Sequence, residues 1–349
     1  MARILAFESY DGGSHKQCRE TLTKHSSHDW EWITRPPREW KWRMATSALE
    51  MASEAISRDL QTPDCIFTTS LTDAAALRAS LPKGWRDIPL VLYMHENQIV
   101  YPTRDKRDSS FAFTNLQSVL TADLTIFNSK WNLDSFIDGM ESLLAKSKDS
   151  TLTDVGERVR SNSAVAWVPV EFPTKKNSTK NTDDTCIRVV WPHRWEHDKG
   201  PEALLELARE HTEELNLRWI ILGEGFSNVP EALQQFKSEF SERIDHMGYV
   251  ASKEEYLQLL AKTDWVLSTA THEFFGIAVV EALFAGCLPW LPERLSYREL
   301  LPACARGLTP ATQIDSPEDI TKEIQDHLYM AQAIPATKRI DMLISNTIK

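Results

Sequence analysis

Long apolar runs are scarce in this sequence of 349 residues. The longest stretches, such as residues 88–94 and 277–291, are too short for a membrane span or are interrupted by Glu281. The opening stretch MARILAFESYDGG predicts a strand and a loop rather than a signal peptide. These absences argue against a membrane or secreted protein, and we expect a cytoplasmic one.

Cysteine and metal-binding motifs are also sparse. The five cysteines are scattered, with no C-x-x-C pair and no histidine at metal-ligand spacing. No D-x-D pair stands at a strand end, where it would hold a divalent cation. We therefore expect free thiols in a reducing compartment, no structural zinc, no catalytic metal and no other resident cofactor.

An excess of positive charge is missing as well. The net charge of −11 argues against indiscriminate binding to nucleic acid. The charge is unevenly spread, because residues 1–170 carry −2 and the remaining residues carry −9. A polyanionic partner is therefore expected to bind the first half.

Strand-like and helix-like segments alternate twice along the chain. Expected strands lie at residues 2–7, 65–70, 89–94, 124–129, 164–170, 187–191, 217–222, 243–247, 265–268 and 287–291. The pattern predicts an α/β protein with two Rossmann-like parallel-sheet domains facing each other across a cleft. The expected domains are residues 1–170 and 186–349, joined by a polar linker at 171–185, with a last helix able to return to the first domain.

The stretch HEFFGIAVVEALFAG at residues 272–286 places a glutamate at each end of an apolar helical pattern that starts near Phe275 or Gly276. If the whole stretch were helical, Glu273 and Glu281 would lie about 12 Å apart, wider than the roughly 5 to 9.5 Å of a glycosidase pair. The spacing favours a helix N-terminus that offers N–H groups to an anion, with one carboxylate beside that anion.

Several loops after predicted strands carry glycine or cations. Gly12 and Gly13 open a helix for which Ser14 is a suitable N-cap, which is typical of an anion-binding loop and also of a plain tight turn. Arg194 and Lys199 suit a diphosphate, although pairing with Glu196 and Asp198 in a solvated loop is the alternative. Further glycines after strands can admit a nucleoside or simply close turns: Gly223, Gly225 and Gly248, the last followed by Tyr249.

The order of these motifs, R-x4-K-G, G-x-G, M-G-Y-V and E-x7-E after a G-G loop, resembles the retaining GT-B glycosyltransferases. More specific stretches, including YDGGSHKQ, LYMHENQIVYP, DLTIFNSKWNLDSF and WPHRWEHDKGPE, resemble the tRNA-queuosine mannosyltransferase family over Ala2 to about Pro302. The resemblance implies transfer of mannose from GDP-mannose to queuosine at the anticodon wobble position of tRNA-Asp. It also implies a front-side reaction with retention, in which the leaving diphosphate accepts the acceptor's proton.

The resemblance and the loop positions together give a set of expected site residues. The expected catalytic residues are His95, Arg194, Lys199 and Glu273. The expected donor-binding residues are Gly12, Gly13, Gly223, Gly248, Tyr249, Phe275, Gly276, Ile277 and Glu281. The expected acceptor-binding residues are Ser14, His15, Lys16, Arg38, Trp40, Lys41, Trp42, Arg43, Glu96, Asn97 and Gln98.

The stretch WITRPPREWKWR at residues 32–43 interleaves tryptophans with arginine and lysine, including Arg35. Such interleaving suits single-stranded RNA, whose bases stack on aromatic rings while cations hold the phosphates. Half-buried tryptophans covered by Arg and Lys stems are the alternative. A second basic stretch, PTRDKRD at residues 102–108, favours a solvated loop.

His95 begins the polar stretch HENQ at the end of a predicted strand, which favours a ligand site over a core position. Asn128 and Ser129 after the next strand are candidates for the same site or for a helix cap. Two other functions stay open at this point. A GT-B enzyme can act on a lipid or polysaccharide, and a non-catalytic protein can bind a sugar nucleotide or RNA.

Overall fold

A computed structural model describes residues 1–101, 109–149, 151–172, 186–224 and 229–348. The chain divides into two compact units, the first formed by Met1–Val170 with Met330–Lys349 and the second by Glu171–Tyr329. The basic stretch 102–108, Gly225 and most of the predicted linker lie outside the described residues. In the described ranges no helix is both long and apolar enough to cross a membrane.

The first unit contains a six-stranded parallel sheet in the order β2-β1-β3-β4-β5-β6. Its strands are β1 (Arg3–Glu8), β2 (Asp29–Thr34), β3 (Cys65–Thr69), β4 (Leu90–Met94), β5 (Leu124–Phe127) and β6 (Ser163–Val165). Every residue of β3 and β4 is buried. Continuous burial is expected for the central strands of a parallel sheet that is covered on both faces.

In the described ranges, six helices connect successive strands of this sheet. They are α1 (Gly13–His25), α2 (Trp40–Ser57), α3 (Ala74–Ser80), α4 (Ser110–Thr121), α5 (Lys130–Leu144) and α6 (Val155–Ser161). Side chains from the helices and the sheet form one apolar core that includes Met51, Leu92 and Phe136. A 3₁₀ turn, Lys83–Trp85, precedes β4.

The second unit contains a five-stranded parallel sheet in the order β11-β10-β7-β8-β9. Its strands are β7 (Ile187–Pro192), β8 (Leu217–Leu222), β9 (Ile244–Gly248), β10 (Trp265–Leu267) and β11 (Leu288–Trp290). Its helices are α7 (Pro201–His211), α8 (Glu231–Glu239), α9 (Lys253–Ala261), α10 (Ile277–Phe284), α11 (Tyr297–Leu300) and α12 (Pro317–His327). Trp191, Trp219 and Phe236 lie in its core.

The last helix, α13 (Ala333–Ile348), belongs to the first unit. The Asp341 carboxylate accepts hydrogen bonds from the Ser26 hydroxyl at 2.6 Å and from the Ser27 backbone N–H at 2.6 Å, just after α1. Val170 forms a parallel bridge with Gln332 ahead of α13. The expected strand 164–170 is thus shorter than predicted, because β6 ends at Val165 and Val170 pairs elsewhere.

Strand order reverses at one point in each sheet. In the first sheet the reversal lies between β1 and β3, and in the second between β7 and β10. Ligands of open α/β sheets bind beyond the carboxyl ends of the strands at such switch points, where loops diverge to opposite sides. The loops after β1, β3, β7 and β10 are therefore the places to look for functional side chains.

Candidate active site

A buried lysine occupies the switch point of the second unit. Lys199 ends a 3₁₀ turn, His197–Lys199, after β7. Its Nζ lies 3.0 Å from the His272 carbonyl oxygen, 3.0 Å from Asp198 Oδ2 and 3.3 Å from Glu273 Oε2. The ammonium donates hydrogen bonds to the His272 carbonyl and to Glu273, and Asp198 adds a charge contact, so the Lys199 head group is held in one place.

Charge pairing keeps this lysine and its partner ionised. Burial alone would lower the pKa of Lys199, but the charges of Glu273 and Asp198 outweigh burial and raise it. Burial alone would raise the pKa of Glu273, but the Lys199 charge outweighs burial and lowers it. Near neutral pH the site therefore presents a fixed ammonium beside a fixed carboxylate.

His193, directly after β7, was missed in the sequence analysis. Burial, together with the Lys199 charge, lowers its pKa to about 3, so its imidazole is neutral at physiological pH. Its Nε2 lies 2.9 Å from the Ser268 hydroxyl, which in turn lies 2.8 Å from the Tyr297 hydroxyl. The signal for His193 was its position two residues beyond the predicted strand 187–191.

Arg194 lies beside this cluster with its guanidinium half exposed and paired with Glu196 at 3.2 Å. The alternative for this loop was that its cations pair with its acids, and both pairs are present: Arg194 with Glu196 and Lys199 with Asp198. This pairing does not make Lys199 a solvated residue, because Lys199 is 7% exposed.

Gly276 shapes the start of helix α10. Its φ of +94° lies in the left-handed region, and a Cβ there would stand 3.2 Å from Tyr297 Cε1 and 3.4 Å from Glu273 Cγ. The helix begins at Ile277, slightly later than predicted, and the buried Phe275 accepts a hydrogen bond from the Ser296 hydroxyl at 3.0 Å through its carbonyl. Glycine thus lets Glu273 pack against the N-terminal end of α10.

Glu281 lies inside α10 and is buried, as its apolar neighbours predicted. Lys253 pairs with one carboxylate oxygen, and the Tyr256 hydroxyl donates to the other at 2.9 Å. Burial and the Glu281 charge raise the pKa of Tyr256 well above its ordinary value, so Tyr256 stays protonated and donates. Two donors therefore offset the cost of burying the Glu281 carboxylate.

Two of the predicted glycines differ in what they do. Gly223 has a φ of +130°, and a Cβ there would lie 2.0 Å from the His193 carbonyl oxygen, so glycine allows the loop after β8 to touch the loop after β7. Gly248 has a φ of +143°, but among the described residues, its two chain neighbours aside, no atom lies within 4 Å of its Cβ position. Tyr249 follows with its side chain 67% exposed. Of Gly223 and Gly248, Gly223 is the one that close packing requires.

A second cluster lies at the switch point of the first unit. His15 on α1 places Nδ1 3.1 Å from Glu8 Oε1 and Nε2 3.0 Å from Glu96 Oε2. The Ser70 hydroxyl donates to Glu96 Oε1 at 2.5 Å. His95 stacks on His15 with ring centroids 4.1 Å apart. These side chains come from the ends of β1, β3 and β4 and from α1, as the switch-point rule leads one to expect.

The start of α1 differs from the prediction in which residue is the N-cap. Ser14 is not the N-cap, because Gly12 takes that place with an extended backbone and Ser14 lies inside the helix. A Cβ on Gly12 would stand 2.4 Å from Pro37 Cβ, and Gly13 has a φ of +51°. Gly12 therefore allows the loop after β2 to pack closely against the start of α1. Lys16 is exposed, with Glu20 at 3.9 Å.

Asn97 and Gln98 are buried in hydrogen bonds that hold the loop after β4. Asn97 Nδ2 donates to Asn132 Oδ1 at 2.8 Å, and the Gln98 backbone N–H donates to Asn115 Oδ1 at 2.8 Å. Of the two candidates after β5, Ser129 caps α5 by accepting from the Asn132 N–H at 2.9 Å. Asn128 Nδ2 donates to the His95 carbonyl oxygen at 2.7 Å.

The basic and aromatic stretch divides among a strand, a loop and a helix. Its first residues belong to β2, and Trp40 starts α2, neither of which the sequence analysis predicted. Trp40 packs 5.2 Å from the Phe111 ring, whereas Trp42 is 61% exposed. Arg43 is largely covered and pairs with Glu50 at 3.6 Å. The RNA-binding interpretation thus fits the exposed Trp42, whereas the structural interpretation fits Trp40 and Arg43.

The remaining cations of this stretch also differ. Arg38 and Lys41 are exposed, and the Lys41 ammonium lies 5.7 Å from the Trp40 ring centroid. Arg35 pairs with Glu54 at 2.8 Å and with Glu50 at 3.4 Å. The start of α2 therefore presents two exposed cations and one exposed tryptophan.

Comparison with known proteins assigns the two halves of the chain to two different family models. A family described as "tRNA-queuosine alpha-mannosyltransferase N-terminal" matches residues 3–170, and "Glycosyl transferases group 1" matches residues 173–332. The tRNA-queuosine alpha-mannosyltransferase of Drosophila melanogaster is 36% identical over 311 residues, which cover 86% of this chain and 81% of the relative. The chain belongs to the tRNA-queuosine alpha-mannosyltransferase family. The family predicted from the sequence is confirmed, and the chain is a glycosyltransferase rather than a non-catalytic binding protein.

Solved structures of low sequence identity share the fold. The trehalose-6-phosphate phosphatase N-terminal domain of Candida albicans matches with a TM-score of 0.73 and 12% identity, over 99% of this chain and 97% of the other. Anabaena HepE, solved in complex with UDP and glucose, matches with a TM-score of 0.65 and 15% identity, over 99% of this chain and the whole of the other. The predicted GT-B class, built from two parallel-sheet α/β units, is confirmed.

Proposed function

We propose that this family member transfers mannose from GDP-mannose to the queuosine nucleoside at the wobble position of tRNA-Asp. The observation that carries the proposal is the ion pair between the buried Lys199 and the partly buried Glu273, in the unit matched by a glycosyltransferase family. The match of the first unit to a tRNA-queuosine family, and the name of the Drosophila relative, support the acceptor.

In the proposed reaction the bond between the mannose anomeric carbon and the diphosphate oxygen breaks. A bond from that carbon to a queuosine hydroxyl oxygen forms on the same face, and the hydroxyl proton passes to the leaving diphosphate. The Lys199 ammonium, the Arg194 guanidinium and the N-terminal amides of α10 stabilise the growing negative charge. The ionised Glu273 offsets positive charge on the sugar ring.

Two further residues are assigned to the donor by the family resemblance. Glu281 would hold the ribose hydroxyls, since a carboxylate accepts two hydroxyl hydrogen bonds. Its present donors, Lys253 and Tyr256, show that both oxygens can be used at once. His95 would contact the donor sugar with a neutral imidazole, because burial lowers its pKa well below the ordinary value.

The proposed acceptor surface is the start of α2. Trp42 offers an exposed ring for stacking on an unpaired base, and Lys41 and Arg38 offer cations for phosphates. We propose no role for a divalent metal or another resident cofactor. The proposed substrates, a tRNA and a sugar nucleotide, fit a cytoplasmic enzyme that works away from membranes.

The decisive experiment incubates the protein with GDP-mannose and tRNA-Asp that carries either queuosine or guanosine at the wobble position. Nucleoside mass spectrometry should show one added hexose on queuosine only. Reactions with UDP-glucose or GDP-glucose test the donor, and a lipid extract tests the lipid, one of the two alternative acceptors. Hexose on a lipid or on guanosine-bearing tRNA would contradict the proposal.

A further inference from the structure

We infer that His15 is a positioning residue, whose imidazolium is clamped between Glu8 and Glu96 and holds the stacked His95 ring neutral and in one orientation. The inference concerns a role different from the acceptor contact that the sequence suggested for His15. It rests on the proposed contact of His95 with the donor sugar, because only that contact gives the state of His95 a functional meaning.

The clamp around His15 is complete on both sides of the ring. Nδ1 faces Glu8 at 3.1 Å and Nε2 faces Glu96 at 3.0 Å, so each ring nitrogen has a carboxylate as its partner. Carboxylates accept hydrogen bonds and do not donate them when ionised, so both nitrogens must carry protons to use both partners. The geometry therefore selects the charged imidazolium.

The two carboxylates are themselves held. Glu8 Oε1 also accepts from the Tyr10 backbone N–H at 2.8 Å, and Ser70 donates to Glu96. Glu8 is 1% exposed, and its Oε2 has no hydrogen-bond partner among the described residues. An incompletely satisfied buried carboxylate favours a cation next to it, which in this cluster is His15.

His95 depends on His15 for both orientation and charge. Its ring lies 4.1 Å from the His15 ring at an interplanar angle of 29°, with the Tyr93 ring against it at 4.8 Å. In the described part of the chain no hydrogen bond reaches a His95 ring nitrogen, while its carbonyl is fixed by Asn128. Stacking, rather than hydrogen bonding, sets the plane of this ring.

The groups that face His95 explain its neutral state. His15 faces it from α1 and Tyr93 from β4, and a Glu8 carboxylate oxygen lies within 4.8 Å of one of its ring nitrogens. Burial lowers the pKa of His95, and the His15 charge lowers it further. Burial would also lower the pKa of His15, but Glu8 and Glu96 raise it well above the ordinary value. Of the two stacked rings, His15 therefore carries the positive charge and His95 is neutral.

A neutral His95 suits the proposed chemistry better than a charged one. A neutral imidazole has one donor and one acceptor for a sugar hydroxyl, whereas an imidazolium can only donate. A second positive charge beside the donor sugar would also oppose the oxocarbenium-like charge that develops at the anomeric carbon. Keeping the proton on His15 therefore avoids a direct repulsion in the transition state.

A metal ion is the competing explanation for the same cluster. Glu8, His15 and His95 each place one ligand atom within 4.8 Å of the others, and all three are buried. Metal coordination needs a deprotonated imidazole nitrogen, but both nitrogens of His15 are taken by carboxylates. Elemental analysis of the purified protein distinguishes the two, because one equivalent of tightly bound metal would overturn the proton assignment.

The first test uses the wild-type protein and needs no activity. With isotope-labelled histidine, NMR should show His15 as an imidazolium at pH 8 and His95 as a neutral ring at pH 6. A neutral His15 or a charged His95 at those pH values would overturn the inference. Failure of the mannosyl transfer assay with these spectra intact would instead count against the proposed function alone.

The second test is a pH profile of turnover. His15→Gln removes the cation and leaves two carboxylates near His95, so the acid limb of the kcat profile should move up by about one pH unit or more. His15→Lys restores a cation and should return the limb toward the wild-type position. A role in folding alone would lower kcat equally at every pH and leave the limb in place.

A double-variant comparison ties the shift to His95. In a His95→Asn background, His15→Gln should no longer move the limb, because the group that titrates is gone. The affinity of His15→Gln for tRNA should equal that of the wild type, unlike a direct acceptor contact. A shift that persists without His95, or a large loss of tRNA affinity, would overturn the assignment.

Discussion

Each unit holds a buried cation between two carboxylates, and the two clusters stand at corresponding places. In the second unit Lys199 lies between Asp198 and Glu273, and in the first unit His15 lies between Glu8 and Glu96. Both clusters stand beyond the strand ends where the strand order reverses. Each sheet therefore provides a cation whose position is fixed by two carboxylates.

The two clusters differ in the reason why the central residue, Lys199 or His15, is positively charged. A lysine is charged at neutral pH without help, and the carboxylates serve mainly to keep Lys199 charged and aimed while it is buried. A histidine is half neutral near pH 6.5, so the charge on His15 exists because of its carboxylate partners. In our proposals the first cation acts on the substrate directly, whereas the second acts through the neighbouring His95.

The largest effect is expected at the lysine. Lys199→Met keeps most of the buried stem and removes the charge, so kcat should fall by about 10²- to 10³-fold, as when other transition-state donors are removed. Steady-state kinetics with GDP-mannose and queuosine-bearing tRNA measure this. Turnover at the wild-type rate would show that Lys199 only holds Glu273 in place.

A control is needed because Lys199→Met leaves Asp198 and Glu273 without their cation. Thermal unfolding of the variant reports the cost of that loss, which is about 3 to 5 kcal/mol when one partner of a buried ion pair is removed. Kinetics should be measured well below the melting temperature of the variant. A variant that folds and binds nucleotide but does not turn over supports the direct role.

Glu273, which precedes α10, and Glu281, which lies inside it, should separate binding from turnover. Glu281→Gln should raise the KM for the sugar nucleotide by about tenfold, since ribose contacts are present before and during the reaction. Glu273→Gln should mainly lower kcat, because its charge matters most as the ring becomes positive. Titration calorimetry with GDP measures the first effect directly. Equal losses of GDP affinity in both variants would contradict this separation.

Sequence patterns predicted the sheets better than the elements between them. Fully buried strands such as β3 and β4 are short apolar runs, which are easy to recognise. The strand β2 was missed because only Ile33 in it is buried, so it has no apolar run. The helix α2 was missed because its first turn was interpreted as part of the basic and aromatic stretch, whereas its buried face, from Met44 to Ala55, lies beyond that stretch. The RNA-like composition of residues 32–43 thus arose partly from structural needs.

The site was predictable where one motif carried it and not where distant segments meet. Lys199 and Glu273 were found from the order of motifs, since each has a recognisable local context. Lys199 and His193 follow β7, whereas Glu273 follows β10. Their arrangement therefore depends on the pairing of these two strands in the sheet, which no local motif shows. Likewise the sequence predicts His15 as an acceptor contact, but no local pattern shows that Glu8 and Glu96 lie on either side of it.

The stacking surface on α2 should give an intermediate effect. Trp42→Ala should weaken binding of queuosine-bearing tRNA by about 1 to 3 kcal/mol, the range for one stacked base. Leu49→Ala is a matched control, since Leu49 is 54% exposed on the same helix but has no aromatic ring. Filter binding or fluorescence anisotropy measures both. Equal affinities of the two variants would remove α2 from the acceptor surface.

The pairing of His15 with Glu8 and Glu96 should also contribute to the free energy of unfolding. The pKa of His15 is raised in the folded protein, so its contribution is fully present below its unfolded pKa of about 6.5 and is lost as pH rises through the folded pKa. His15→Gln should therefore cost about 1 to 3 kcal/mol near pH 6 and less at alkaline pH. Urea unfolding across this range measures the difference.

The smallest effect separates an exposed cation from a paired one. Lys41 is exposed and so is expected to contact a phosphate, whereas the Arg43 guanidinium is largely covered and paired with Glu50. Lys41→Gln should reduce the slope of log affinity against log salt by about 0.7, the value for one contact to a single strand. Arg43→Gln should leave that slope unchanged and lower the melting temperature, since it breaks the pair that covers α2. If instead Arg43→Gln reduces the slope and Lys41→Gln does not, then the Arg43 and Glu50 pair must open when tRNA binds, and the acceptor surface lies deeper along α2 than its exposed first turn.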